Sequence, residues 1–107
     1  MFVVLLRYEA PLDEIDRLMP EHVRFLEQGY AAGVFVASGR QVPRDGGVIL
    51  AVGDSKADLE EVMQHDPFID RGAATFEIVE FRTSLHHPSF ARFADRGTRK
   101  VKDVPKP

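Results

Sequence analysis

Two short runs in this sequence are apolar on both of their faces, and they limit the fold more than anything else in it. Phe2-Val3-Val4-Leu5-Leu6-Arg7-Tyr8 is β-branched and aromatic and reads as a strand, and Val48-Ile49-Leu50-Ala51-Val52 reads as another. A strand without a polar face belongs at the centre of a sheet, covered on both sides. Two more runs have strand character, Val34 to Gly39 and Ala74 to Thr83. In the last of these, Phe76 and Ile78 fall on one face, and Thr75, Glu77, Val79 and Phe81 on the other.

Helices are expected between the strands. Leu12 to Leu18 has enough pattern for a turn or two. Pro20 lacks an N–H, so it suits the first position of a new helix rather than the middle of one. That helix would run from Pro20 to about Ala32 and stop at Gly33. Arg40 to Gly47 is polar and glycine-rich and reads as a hairpin connection. Ser55-Lys56-Ala57-Asp58 resembles a capping box, and the helix it opens carries Leu59, Val62 and Met63. That helix should end near His65, because Asp66 precedes Pro67. Ile69 to Ala73 reads as a connection. Ser89 to Ala94 could make one helical turn, and Arg96 to Pro107 reads as a charged, mobile tail.

The resulting order is strand, helix, strand, strand, helix, strand. It predicts an α+β, ferredoxin-like βαββαβ fold with a four-stranded antiparallel sheet, spanning residues 1–85, followed by a C-terminal extension over 86–107. At 107 residues there is room for one small domain. Two helices can cover only one face of such a sheet, yet the first and third strands are apolar on both. The sheet of a second copy is the simplest cover, so a homodimer with its sheets face to face is expected.

Charge and composition narrow the function. A net charge of -3 argues against a nucleic-acid binder. RNA-binding domains of this strand order carry stacking aromatics on the third strand, and Val48 to Val52 has none. The absence of cysteine removes disulfides, thiolate metal sites and cysteine nucleophiles. Met1 to Leu6 is too short for a membrane span and lacks the basic start of a signal peptide, so no membrane partner is expected and the cytoplasm is the expected compartment.

His22 and Asp66 are the candidate acid–base pair. With Pro20 as first helical residue, His22 lies in the first turn, where the positive end of the helix dipole disfavours imidazolium. A neutral imidazole can accept a proton. Asp66 sits at a helix exit and could orient that ring as carboxylates do in triads. The alternatives are a histidine that only packs the helix beside Phe25 and an Asp-Pro turn that only ends one. Spacing alone does not bring the two together. Ser38 and Arg40 at a strand end, and Tyr8 at another, could bind substrate, Arg40 by clamping a carboxylate or phenolate. Arg44 reads as a solvated charge. His65, His86 and His87 match no zinc spacing, so neither a metal nor another cofactor is expected.

The run Pro20-Glu21-His22-Val23-Arg24-Phe25-Leu26, then Gly33, Ala37-Ser38-Gly39, the glycine-rich hairpin and Asp66-Pro67-Phe68 resembles the YCII-related domain over roughly the first 85 residues. The resemblance implies a dimeric α/β-barrel and a pocket in which a histidine and an aspartate meet, here His22 and Asp66. One branch of that family eliminates chloride from a chlorinated hydroxyquinone. Where the family commonly has Ser/Ala-Gly-Pro, this chain has Ser38-Gly39-Arg40, so the substrate of that branch does not carry over directly. The leading expectation is a cofactor-free lyase or isomerase acting on a small anionic or phenolic molecule. The alternatives are a non-catalytic ligand-binding or dimerisation module, and a scaffold in which His22 is structural.

Overall fold

The computed structural model describes residues 1–95 and 100–105. Strand β1 (Phe2–Tyr8) is followed by helix α1 (Leu12–Ala31), strands β2 (Phe35–Arg40) and β3 (Gly46–Ala51), helices α2 (Lys56–Met63) and α3 (Pro67–Asp70), and strand β4 (Ala74–Glu80). All neighbouring strands are antiparallel, in the order β2-β3-β1-β4. The fold is therefore the α+β, ferredoxin-like one, with the doubly apolar β1 and β3 in the middle as their composition requires.

Alternation along β1 sends Phe2, Val4 and Leu6 to the helix side, where all three are buried. There they meet Phe25 of α1, Leu59, Val62 and Met63 of α2, Ile49 of β3 and Ile78 of β4 in one core. Val3 and Leu5 point the other way, opposite Leu50 and Val48 of β3, and all four are half-buried. Val79 and Phe81 lie beside them, 47% and 44% exposed.

Helix α1 departs from the reading of two separate pieces. It runs unbroken through Pro20, whose missing N–H leaves the Asp16 carbonyl without its helical partner. A proline inside a helix costs about 3 kcal/mol. Ile15, Leu18, His22, Phe25 and Gly29 form one buried stripe across it. Burying Ile15, Leu18 and Phe25 returns about 1.5–3 kcal/mol each, so the continuous helix wins. Gly33 ends it at φ 75°, a backbone that suits glycine. Gly33 N–H then donates to Tyr30 O at 3.0 Å and Val34 N–H to Gly29 O at 3.1 Å, closing the last turn.

Two other expectations are corrected. Ser55 caps α2 as anticipated, its Oγ accepting from Asp58 N at 3.1 Å. Asp66, however, does more than follow that helix. It begins α3, a short helix that runs into the segment read as a connection, with Pro67 at its first position. The C-terminal extension is also more than a charged tail. Asp54 Oδ1 accepts from Val101 N at 3.1 Å, and Val101 and Val104 are buried in the main core. The tail reading for 96–99 and 106–107 lies outside the described residues. A 3-10 helix spans Pro88–Phe93 where one helical turn was expected.

Candidate functional site

A cavity of about 280 Å³ opens between α1, α3 and the strands β1, β2 and β3. Its walls are largely apolar, with Leu6, Met19, Leu26, Ile49 and Phe68 contributing. Its polar groups are Tyr8, His22, Ser38 and Arg40, which the strand register and the α1 stripe bring to one place.

His22 lies in the middle of α1 and is 7% exposed. The first-turn position read from Pro20 is thereby overturned, and with it any influence of a helix N-terminus on the ring. What acts on His22 instead is Asp66: His22 Nδ1 and Asp66 Oδ1 are 2.8 Å apart. Asp66 is fully buried and held by its own backbone, since the same Oδ1 accepts from Phe68 N at 3.0 Å as the cap of α3. The negative helix end read for Asp66 is accordingly replaced by the N-terminal end of the next helix.

Phe68 fixes the ring from a second direction. The imidazole stacks on it with centroids 4.0 Å apart and planes at 12°, and Tyr8 meets the phenyl ring edge-on at 6.0 Å. With Nδ1 engaged by the buried carboxylate, the proton sits on Nδ1 and Nε2 is the free lone pair, on the ring edge turned away from Asp66. Such an arrangement can take up and return a proton at Nε2.

Ser38 and Arg40 pair across the sheet with Ile49 and Gly47, which puts both on the helix side of β2. Arg40 has no carboxylate partner among the described residues. Arg44, read as a solvated charge, is instead anchored. Its guanidinium donates to Asp16 Oδ1 at 2.5 Å, and this bond raises its pKa above the ordinary value, against the opposing effect of desolvation and with a smaller contribution from the Tyr8 hydroxyl.

One residue of this neighbourhood escaped the sequence reading. Tyr30 Oη lies 2.6 Å from Ser38 Oγ. The signal for it was the spacing of Met19, Val23, Leu26 and Tyr30, a second stripe of α1 beside the buried one. Two of the other histidines serve the backbone: His87 Nδ1 accepts from Ser89 N at 3.0 Å, and His86 Nδ1 meets His87 O at 2.9 Å. No group of three or more metal-ligating side chains occurs among the described residues, nor does any helix there have the length and apolarity to cross a membrane. A larger depression of about 710 Å³ adjoins Asp54 and Asp95, but these carboxylates are occupied by Val101 N and by Thr83 and the N-terminal ammonium.

A solved structure of 5-chloro-2-hydroxyhydroquinone dehydrochlorinase from Burkholderia phenoliruptrix, in complex with 2,5-dihydroxybenzoquinone, is similar to this chain. The TM-score is 0.65 and the identity 16%, over 78% of this chain and 96% of that one. At that identity the likeness is one of fold. No curated protein matches the sequence. The model of the YCII-related domain matches residues 1–82. With the fold and this match in agreement, the chain belongs to the YCII-related domain family.

Proposed function

We propose that the protein is a small-molecule enzyme of lyase or isomerase type, with His22 as general acid/base and Asp66 as the residue that orients it. The observation that carries this reading is the buried 2.8 Å contact between His22 Nδ1 and Asp66 Oδ1 beside an apolar cavity. His22 Nε2 would remove a proton from the substrate, and the buried carboxylate would stabilise the imidazolium so formed. The proton would then pass to the leaving group or to a second carbon of the substrate, giving elimination or isomerisation. Chemistry of this kind requires no metal or cofactor. Tyr8, Ser38 and Arg40 would bind a small anionic or phenolic substrate, Arg40 through a guanidinium that has no carboxylate partner among the described residues. The similar dehydrochlorinase, whose solved complex holds a dihydroxybenzoquinone, supports both the reaction type and the ligand size.

The reading includes a homodimer through the open sheet face and a cytoplasmic setting. Its test is a turnover screen over chlorinated and unchlorinated hydroxyquinols and aromatic acids, run with the wild type and His22→Ala. The variant should stay folded and lose turnover by about 10²–10⁴-fold. Saturable binding of these compounds without product, in a wild type confirmed as folded, would assign a binding module instead.

A further inference from the structure

Ser38, on the β2 wall of the cavity, has a hydroxyl partner outside that wall. Tyr30, in the last turn of α1, places its Oη 2.6 Å from Ser38 Oγ. The tyrosine ring is itself held, edge-on to Phe35 with centroids 6.2 Å apart and planes at 86°. Phe35 in turn sits over Gly29, where a Cβ would stand 2.0 Å from its ring. Packing has therefore already ordered the Tyr30 side chain, and its hydroxyl is not a free surface rotor.

The two hydroxyls are unequal. Either oxygen of this contact can donate, and the greater acidity of a phenolic O–H favours Tyr30 as donor and Ser38 as acceptor. The Ser38 proton is then left to turn into the cavity that Ser38 lines. Arg40, two residues along the same strand and on the same face, adds guanidinium N–H groups with no carboxylate partner among the described residues. The β2 wall thus offers donors, while His22 offers an acceptor at Nε2. Ser38 and Arg40 are exposed at the mouth of a largely apolar cavity, where convergent donors favour an anionic oxygen.

We propose that Tyr30 is a positioning residue: its hydroxyl fixes Ser38 as a donor into the cavity, and Ser38 and Arg40 together bind the anionic oxygen of a small planar ligand. This deepens the reading of the cavity as a ligand site and needs no catalysis at His22. The ligand class is an aromatic carboxylate or phenolate, the charge borne at one edge of the ring.

The experiment titrates benzoate, 2,5-dihydroxybenzoquinone and toluene into the full chain, with affinities read by NMR. Tyr30→Phe keeps the ring and its contact with Phe35 and removes only the hydroxyl. It should weaken both oxygen-bearing ligands about 3- to 10-fold and leave toluene unchanged. Ser38→Ala should do the same, and the double variant should be no weaker than Ser38→Ala alone. Arg40→Gln should weaken benzoate further. Equal benzoate affinity in the wild type and Tyr30→Phe overturns the proposal. So do additive losses in the double variant, a matching loss of toluene, or a wild type that binds neither oxygen-bearing probe. Retained benzoate binding by the wild type together with failure of every turnover assay would sink the acid–base reading without touching this one.

Discussion

Asp66 is the residue on which most of the local order converges. One of its oxygens receives both the Phe68 amide and the His22 ring, and the other has no partner among the described residues. Asp66→Asn removes the charge while preserving shape. It should leave the chain folded, lower turnover by about 10²–10⁴-fold, and shift the His22 tautomer away from Nδ1–H. Long-range ¹⁵N correlation spectra read that tautomer without any substrate, and an unchanged Nδ1–H signature would refute the orienting role. Both partners could be picked out of the sequence, because an isolated histidine and an Asp-Pro-Phe turn are visible as residue types. Their contact was implied by the family resemblance and could not be read from spacing. It depends on α1 continuing through Pro20 and on Asp66 opening a helix, both of which are tertiary outcomes. Tyr30 was missed for a similar reason, since its partner Ser38 lies across a helix-to-strand turn whose geometry the intervening residues do not reveal.

Among the elements, α1 and the C-terminal extension hold the site by different means. Restoring the missing N–H with Pro20→Ala should stabilise α1 by about 1–2 kcal/mol, the helix gain exceeding the lost restriction of the unfolded chain. A lower urea midpoint in that variant would show that the proline is accommodated by a bend the fold depends on. In the extension, Val101 is fully buried against α2 and the sheet. Val101→Ala should cost about 2 kcal/mol in chemical denaturation, whereas an unaltered midpoint would mean that the segment is not part of the cooperative core. Asp95 supplies the extension with a pH dependence. The N-terminal ammonium beside it holds its carboxyl below the ordinary value of 3.8, burial opposes this, and the Thr83 amide and hydroxyl add to the lowering. Its folded pKa lies below its unfolded one, so the stabilisation is complete above the unfolded value and is lost as pH falls through the folded one. Asp95→Asn should therefore unfold earlier than the wild type at neutral pH, and the gap should close under acid. A gap independent of pH would contradict the ion pair. The central strands were legible as continuous β-branched and aromatic runs, and β4 by its alternation. The extension was not, because two valines in a charged, proline-bearing stretch leave no periodic mark.

At the scale of the whole molecule, the open face of the sheet carries no helix of the main core among the described residues. Val3, Leu5, Val48 and Leu50 sit on the two central strands of that face, half-buried, with Val79 and Phe81 beside them at 47% and 44% exposure. The helices α1 and α2 pack on the opposite face, so neither shields these side chains. A contiguous apolar patch on the flat centre of a sheet favours association, and a second copy offers an identical, complementary patch through a two-fold axis. Each copy also brings Arg7 and Glu77 to this face, opposite charges that can pair across such an axis at the rim of the patch. Val79→Lys with Phe81→Ser puts charge and polarity on the exposed part of that face while leaving the helix-side core intact. Sedimentation velocity should show a dimer for the wild type and a monomer for the double variant at micromolar concentration. Circular dichroism should show the secondary structure retained. A wild type that sediments as a monomer refutes the dimer, and a double variant that remains dimeric moves the interface to another surface.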